Sequence, residues 1–391
     1  MTASGLPATV SHTLEWSGDD VDLTTVDHQI NELRKDLSRQ LDDVSPVVTH
    51  VFNLVVYTDS VDLAERVASD LASVSRRHPS RAIILIADRW HRESPIDAEV
   101  RLMCAAGTGG GPPLCFEQVF VKVQGRAADH LASVVVPLLM PEIPTYLWWP
   151  GQPLFGHRLF HRLLVSADQL VIDSGQFRSP GDGLNDLARL CSGRYGVNDV
   201  NWARLKPWRE IIAQFFDAPQ LTPYAYGIKT ISLVFGDGEG DYGQSTSGLL
   251  LMLGWVASEL GLEPETTLDT VATRDVSLSL LQGHSLINID VNFRTLGAGS
   301  AGRLMSIEMH AEAKDAPEAV FVVRRSSDLL HAHVTMRVGT ESEIKRVVAL
   351  DIKEDPVLLA DELAAAGHDY LYERVVGMAA RIAGREVWLP E

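Results

Sequence analysis

The sequence offers several residue groupings that could carry chemistry, and the first is a glycine pattern. The motif G-x-G-x-x-G occurs at 297–302 as GAGSAG. Dinucleotide binding needs a strand before this motif and a helix after it, so that the helix N-terminus faces the pyrophosphate. The segment that follows, RLMSIEMHAEA, alternates with period two, which is typical of a strand. We therefore expect the glycines to form a hairpin loop, with no dinucleotide cofactor bound there.

The motifs for phosphate, metal and nucleophile chemistry are no stronger. GTGGGPP (107–113) lacks the Lys-Ser/Thr ending of a P-loop, and DGEGDYG (237–243) lacks the glycine and the closing glutamate of a calcium loop. Three histidines on predicted strands could be drawn as a metal site: His310, His331 and His333. No carboxylate or cysteine completes a recognised ligand pattern, and no G-x-S-x-G elbow is present. We expect no metal, no cofactor and no catalytic residue.

Two adjacent polar residues are harder to dismiss. In IDSGQF (172–177), Asp173 and Ser174 end a run that is predicted to be a buried strand. Ligands bind outside the carboxyl ends of strands in parallel sheets, so this pair is a candidate ligand site. Asp and Ser also form turns and helix N-caps, which is the more common role.

Tryptophan and arginine are concentrated in the segment NWARLKPWRE (201–210). These two residue types are among the most enriched in interface hot spots, so the segment is a candidate partner surface. The alternative is a helix that packs on the sheet through its indole rings, with solvated arginines. The candidate residues are Trp202, Arg204, Trp208 and Arg209.

A second tryptophan pair, Trp148 and Trp149, closes the apolar stretch PLLMPEIPTYLWW and is followed by Pro-Gly. The spacing places both residues at the carboxyl end of a predicted strand. Neighbouring strand residues point to opposite faces, so the two rings cannot enter the same layer. We expect one ring to pack under a helix and the other to reach toward the mouth at the strand ends or toward the surface.

The elements that must position these residues form an α/β pattern. A strand at 47–59, a helix at 60–79 and a continuous apolar strand at 81–88 predict a βαβ unit in a sheet covered on both faces. Segments 99–107 and 114–123 predict a hairpin around the glycine-rich loop. An amphipathic helix is predicted before this unit, at 23–41. After the hairpin the alternation of helix and strand continues, with helices at 127–140 and 155–167 and strands at 145–149 and 169–174. Two further helices are predicted at 184–193 and 200–217.

Beyond TPYAYG (222–227), which we interpret as a linker, the pattern changes to alternating strands. Helices interrupt it at 247–260 and at about 366–383. We predict an α/β fold class: an N-terminal domain with a mostly parallel sheet and helices on both faces, followed by an α+β domain with an antiparallel sheet. The predicted domains are a segment with a packing helix (1–45), the α/β domain (46–221) and the α+β domain (222–391).

Composition narrows the range of partners. The chain has 391 residues, with 52 acidic and 34 basic side chains and a net charge of −18. Such a field repels phosphate backbones and anionic lipid, so we expect neither nucleic acid nor a membrane as a partner. The first 25 residues have no basic region before an apolar one, and we expect no secretory signal. Three cysteines without a C-x-x-C motif are typical of a protein in the reducing cytoplasm. A disulfide between Cys104 and Cys115 across the predicted hairpin is geometrically conceivable, but nothing in the sequence requires it.

Three stretches in this order, LLMPEIPTYLWWPG, LVIDSGQF and DVNWARLKPWRE, resemble the OpcA family. These are the glucose-6-phosphate dehydrogenase assembly proteins of cyanobacteria and actinobacteria. The likeness covers about the first 220 residues strongly, and the remainder fits in length and α+β character. It also implies redox-sensitive cysteines toward the C-terminus; this chain departs from that pattern, because no cysteine follows Cys191.

The resemblance implies a non-enzymatic, cytoplasmic partner that binds glucose-6-phosphate dehydrogenase and favours its active oligomer in the oxidative pentose phosphate pathway. Its mechanism would be tighter binding to the active conformer, which shifts the population toward that state. The alternative from the residues themselves is an α/β enzyme or binding protein that acts on a phosphosugar at the Asp173/Ser174 strand end.

Overall fold

The structure is a computed structural model with two β-sheets and ten α-helices in the residues that it describes. These are residues 10–40, 47–48, 50–75, 77–88, 95–105, 114–236, 242–268, 275–297, 299–341 and 343–385. The glycine-rich segment 107–113 and most of the segment 237–243, neither of which matches the motif it was tested for, therefore lie outside the described residues. Within the described chain, no helix is both long and apolar enough to cross a membrane.

The first sheet is mixed and mostly parallel. Its strands are β1 (Val10–Gly18), β2 (Val47–Val48), β3 (Phe52–Thr58), β4 (Ser80–Asp88), β5 (Ile96–Ala105), β6 (Leu114–Gln124), β7 (Thr145–Trp149), β8 (Gln169–Ile172) and β9 (Gly196–Asp199). They follow the order β1-β5-β6-β4-β3-β7-β8-β9, and β2 pairs with β6. The pairs from β6 through β8 are parallel, whereas β5 is antiparallel to both β1 and β6. Every residue of β3 is buried, so both faces of this strand are covered.

The second sheet is mostly antiparallel. Its strands are β10 (Ile228–Gly236), β11 (Glu263–Pro264), β12 (Asp275–Gln282), β13 (Ser285–Arg294), β14 (Leu304–Ala311), β15 (Ala319–Arg325), β16 (His331–Val338) and β17 (Ile344–Ala349). The order is β11-β12-β13-β10-β14-β15-β16-β17, and one pair, β10 with β13, is parallel. Burial alternates along the central strands, so one face packs on a core. The two sheets confirm the predicted fold class.

Within the part of the chain that the structure describes, ten α-helices accompany the sheets. They are α1 (Leu23–Gln40), α2 (Val61–Val74), α3 (Leu131–Val135), α4 (Arg158–Val165), α5 (Pro180–Cys191), α6 (Val200–Ala213), α7 (Thr222–Ala225), α8 (Tyr242–Leu260), α9 (Asp355–Ala364) and α10 (Tyr370–Ile382). Helix α1 illustrates why they form: Val26, Ile30 and Leu37 recur at helical spacing, and all three are buried.

The described chain falls into two compact units that are not continuous in sequence. One contains residues 1–172, 195–198 and 354–367, and the other contains 173–194, 199–353 and 368–391. The division into 1–45, 46–221 and 222–391 concerns segments along the chain, and it stays a prediction.

Several local predictions were wrong. The segment 127–140 is one short α-helix between 3₁₀ turns, and Pro137 lies in the second turn, where it cannot donate a helical hydrogen bond. The supposed linker TPYAYG begins with helix α7. Sequence patterns also missed β1, β9, β11, β12, β17 and α9.

The glycine-rich stretch at 297–302 does not close a hairpin, because β10 lies between β13 and β14 in the sheet. Instead the loop crosses the end of β10: the Gly236 N–H donates to the Arg303 carbonyl at 2.8 Å, and the Gly302 N–H donates to the Gly236 carbonyl at 3.0 Å. A Cβ at Gly236 would lie 1.9 Å from the Ser300 oxygen, so only glycine fits. Strand β14 follows the loop, and the helix needed for dinucleotide binding is missing there.

Candidate functional site

Asp173 and Ser174 lie where β8 ends, as predicted, and they start a 3₁₀ turn (Ser174–Gln176). The Asp173 side chain caps this turn, since its Oδ1 accepts the Gly175 N–H at 3.0 Å. Both residues are buried, at 7% and 0% exposed. The pair therefore has the cap role that Asp and Ser commonly take.

Asp199 connects this turn to helix α6. It is the N-cap of the helix, and its Oδ1 accepts the N–H groups of Asn201 and Ser174, each at 2.9 Å. Its Oδ2 accepts the hydroxyl of Tyr372 on helix α10 at 2.9 Å. Burial, with a smaller contribution from the negative charge of Asp173, raises the Asp199 pKa to about 6.

Arg204, one turn into α6, forms a two-point ion pair with Asp173. Its Nη1 and Nη2 lie 2.7 and 2.8 Å from Oδ1 and Oδ2, with 13% and 10% of the two side chains exposed. The Ser174 hydroxyl accepts the Asn201 side-chain amide at 3.1 Å. The donors that a phosphate would use here already bind protein carboxylates, so the geometry gives no support to a phosphosugar site at this strand end.

Trp202 and Arg209 pack against each other on α6. The Arg209 guanidinium carbon lies 3.1 Å from the centroid of the Trp202 ring, and its Nη1 donates to the Trp202 carbonyl at 2.8 Å. The indole Nε1 donates to Asp369 at 3.3 Å, and the ring lies 5.8 Å from that of Tyr372. A cation over an indole face is a favourable contact, and here it lies within α6. The indole of Trp202, through Asp369 and Tyr372, connects α6 to α10.

The remaining tryptophan of the segment, Trp208, is 2% exposed, and the Arg325 guanidinium lies 5.6 Å from its ring. Pro207 precedes it inside the helix and cannot donate to the Ala203 carbonyl. The exposed face of α6 is formed by Lys206, Glu210 and Ala213. The predicted tryptophans therefore lie beneath this helix rather than on its surface.

Trp148 and Trp149 are both buried, at 7% and 2% exposed. The Trp149 ring stacks on Tyr57 at 4.1 Å and meets Phe160 edge-on at 5.2 Å, while its Nε1 donates to the Gln152 carbonyl at 3.1 Å. The expectation that one ring would reach the surface was wrong, because every residue of β7 is buried and both faces of this strand are therefore covered.

The three histidines are not gathered into a metal site. His310 contacts Glu308 and Glu318 at 3.0 Å each, and His331 contacts Asp328 at 2.9 Å. Among the described residues, no group of three histidine, cysteine or acidic side chains is placed to hold a metal.

The structure contains a disulfide between Cys104 and Cys115, which face each other across the β5–β6 pair. The third cysteine, Cys191, is a buried thiol whose pKa is raised by desolvation. The sequence alone left this bridge open.

One cluster thus unites five of the predicted residues: Asp173, Ser174, Trp202, Arg204 and Arg209. Sequence reasoning missed Asp199 and Tyr372, which join them. Asp199 has a detectable signal, an acidic residue directly before a helical pattern. Tyr372 lies 173 positions further along the chain, and no local sequence pattern indicates its contact with Asp199.

Comparison with known proteins identifies the family. Two family models match consecutive parts of the chain: the glucose-6-phosphate dehydrogenase subunit N-terminal domain at residues 72–189, and the C-terminal domain of the same subunit at residues 195–376. Together they span most of the sequence. The chain belongs to the OpcA family.

Curated OpcA relatives agree with this placement. The OxPP cycle protein OpcA of Synechocystis sp. is 25% identical over 314 residues, which cover 79% of this chain and 65% of that protein. The protein of the same name from Synechococcus elongatus is 28% identical over 204 residues, 52% of this chain and 44% of that protein. This OpcA-family chain therefore spans less than two thirds of the length of these relatives.

Solved structures with a related arrangement are distant. An oxidoreductase from Sinorhizobium meliloti aligns with a TM-score of 0.46 and 8% identity, covering 86% of this chain and 98% of that one. UDP-N-acetylglucosamine 3-dehydrogenase from Acidithiobacillus ferrooxidans aligns with a TM-score of 0.43 and 11% identity, covering 86% and 97%. Likeness at this level has no bearing on the activity of the OpcA-family chain.

Proposed function

We propose that this protein is a non-catalytic assembly factor that binds glucose-6-phosphate dehydrogenase and favours its active oligomer. The observation that carries the proposal is the match of both family models, whose descriptions name that enzyme, to residues 72–189 and 195–376. The relatives named as OxPP cycle proteins support the same pathway, the oxidative pentose phosphate cycle. The proposed location is the cytoplasm, where this pathway operates.

The physical mechanism is differential affinity. A partner that binds the active oligomer more tightly than the inactive form shifts the population by the ratio of the two affinities, and a partner with equal affinity shifts nothing. Activation must therefore saturate with the concentration of this protein, and the size of the complex must change with it.

Helix α6 is the surface that we assign to this interaction. On its buried side, Arg209 packs on Trp202 and Arg204 forms an ion pair with Asp173. The ion pair anchors the helix to the turn that follows β8. Its exposed side presents Lys206 and Glu210, four residues apart on one face. Trp148 and Trp149 lie under the first sheet's surface and act only as packing in this scheme.

The decisive experiment measures dehydrogenase activity against glucose 6-phosphate with and without this protein, using the enzyme from the same organism. Light scattering on the same samples gives the mass of the complex. A lower KM or a higher kcat together with a larger complex supports the proposal. No change in either quantity contradicts it.

A variant series then tests the role of α6. Lys206→Glu combined with Glu210→Lys reverses both exposed charges and leaves the buried contacts in place, so we expect half-saturation of activation to need about tenfold more protein. Arg189→Glu, on the exposed face of α5, is the matched control and should leave the curve unchanged. Unchanged activation by the charge-reversed protein, or by a folded Arg204→Ala/Arg209→Ala variant, would exclude α6 as the contact.

A further inference from the structure

The second sheet has one covered face and one face that is open to solvent. On the covered face, a Cβ at Gly248 of α8 would lie 3.5 Å from the Phe235 ring, and the ring of Phe216 lies 5.1 Å from that of Phe321. The open face consists of the outward-facing side chains of β10 and β13 to β17, strands that the structure describes in full. Burial alternates along most of these strands, so the outward side chains are exposed or half-buried.

Strand pairing aligns these outward side chains in rows that cross the sheet. The middle row contains, in spatial order, Asp290, Ser232, Glu308, Val322, Thr335 and Lys345. The adjacent rows lie about 7 Å away, because side chains on one face of a strand recur at every second residue. Arg324 belongs to one adjacent row and Arg337 to the other.

The open face has its charges separated by sign. The half made of β13, β10 and β14 presents the carboxylates Asp290 and Glu308, and the half made of β15, β16 and β17 presents the cations Arg324, Arg337 and Lys345. Cations on the acidic side are paired nearby, Lys229 with Glu312 and Arg294 with Asp275. Lys345 contacts Glu343 at 2.6 Å, but both side chains are well exposed and such a pair contributes little.

This separation makes the open face complementary to itself in one orientation. Sheets that pack face to face in the aligned manner keep their strands within about 30° of each other. For two copies related by a two-fold axis, the axis then runs either across the strands or along them. An axis across the strands would place each half over the same half of the other copy, with like charges opposed. An axis along the strands places the acidic half over the cationic half.

The rows determine which charges meet. With the axis between β14 and β15, β13 of one copy faces β17 of the other, and the middle row faces the middle row. Asp290 then lies over Lys345 of the second copy, and Glu308 lies one row from Arg324 of the second copy. Each of these contacts occurs twice because of the symmetry.

The size and composition of the open face are sufficient for a reversible dimer. Six strands about 4.8 Å apart, with about six residues each at about 3.3 Å per residue, present about 600 Å². Two copies would bury about 1,200 Å² in total, the lower limit for a specific interface. The half-buried valines Val234, Val320 and Val322 give its middle an apolar component. We therefore expect a dissociation constant in about the micromolar range.

We propose that this protein forms a two-fold symmetric dimer with a second copy of itself through the open face, with Asp290 of each copy opposite Lys345 of the other. The 3₁₀ turn Gln214–Phe216, which continues α6, packs on the covered face through Phe216. The dimer interface is therefore separate from the surface assigned to the dehydrogenase, and the proposal does not depend on that interaction.

Sedimentation velocity on the protein alone, from about 1 to about 100 μM, tests the proposal. We expect the wild type to change from monomer to dimer within this range. Asp290→Lys and Lys345→Asp should each weaken the dimer at least tenfold, because each opposes like charges at two symmetric positions. The double variant Asp290→Lys/Lys345→Asp exchanges the two charges, so it should recover the wild-type dissociation constant within about threefold.

Arg189→Glu, on the exposed face of α5, is the matched control, since it alters the net charge as much as Lys345→Asp does and should leave the dimer unchanged. Circular dichroism verifies that each variant folds. A wild type that stays monomeric up to about 100 μM would overturn the proposal. So would a dimer that both single variants form as tightly as the wild type, or a folded double variant no tighter than the single variants.

Discussion

Removing Arg204 should destabilise the protein more than removing any exposed arginine. The substitution Arg204→Ala deletes the guanidinium that pairs with both oxygens of Asp173. It leaves that carboxylate largely buried and close to a second one, Asp199, whose pKa Asp173 already helps to raise. The loss in the free energy of unfolding comes mainly from the unpaired, buried carboxylate of Asp173 and less from the lost hydrogen bonds.

The magnitude follows from the geometry. Breaking a fully buried ion pair by removing one partner costs about 3–5 kcal/mol, and an exposed pair contributes roughly 0–1 kcal/mol. The two side chains are 13% and 10% exposed, which places the pair near the buried limit but gives water some access to it. We expect the free energy of unfolding to fall by about 3 kcal/mol.

Urea denaturation at neutral pH, followed by circular dichroism, measures this change. Arg189→Ala is the control, because its nitrogen lies 3.9 Å from Asp186 and both side chains are well exposed. That variant should lose no more than about 0.5 kcal/mol. The double variant Asp173→Asn/Arg204→Ala should be more stable than Arg204→Ala, since the amide keeps an oxygen for the Gly175 N–H but has no charge.

Two results would refute this reasoning. A loss below about 1 kcal/mol for Arg204→Ala would show that water stabilises the Asp173 carboxylate as well as the guanidinium does. A double variant less stable than Arg204→Ala would show that the carboxylate is needed for its hydrogen bond and is not a stranded charge.

Two further predictions concern stability. The raised pKa of Asp199 means that the folded protein holds a proton that the unfolded chain has released, so this residue's contribution falls as pH rises from about 4 through about 6, by roughly 3 kcal/mol at most. Asp199→Asn, compared with wild type by urea denaturation across that range, should remove this part of the pH dependence. The disulfide closes a loop between residues 11 positions apart, so Cys104→Ala/Cys115→Ala should lower the free energy of unfolding by about 3 kcal/mol, and dithiothreitol should lower that of wild type similarly.

Each of these has a clear contrary outcome. A difference between wild type and Asp199→Asn that stays constant with pH would mean that the Asp199 pKa is the same in the folded and unfolded chains. Wild-type protein whose stability is insensitive to dithiothreitol, with thiol titration showing that the Cys104–Cys115 bond is reduced, would mean that the bond contributes nothing to stability.

Much of the fold was predictable because burial leaves a periodic trace along the chain. The apolar spacing in Leu23–Gln40 and the continuous apolar run in Ser80–Asp88 each predicted the element that the structure contains. Strand β17 was missed because it lies at a sheet edge and is mostly exposed, so its pairing with β16 leaves no apolar alternation.

The order of strands was not predictable in the second sheet. The glycine-rich loop at 297–302 joins two strong strand patterns, which favours a hairpin. In the structure β10 lies between those strands, parallel to one and antiparallel to the other. The strands that pair with β10 are distant from it in sequence, and the periodicity along β10 itself does not indicate which strands they are.

The sequence by itself determined the fold class, the family and the residue types at the strand ends and on helix α6. Only the tertiary structure decided that Asp173 pairs with Arg204, that Tyr372 reaches Asp199, and that the tryptophans lie beneath the surface. Local patterns report which face of an element is buried, because burial acts on neighbours a few residues apart. Which side chains meet across that core depends on the path of the whole chain, and a charge or hydrogen bond acts only between atoms that the fold has brought together.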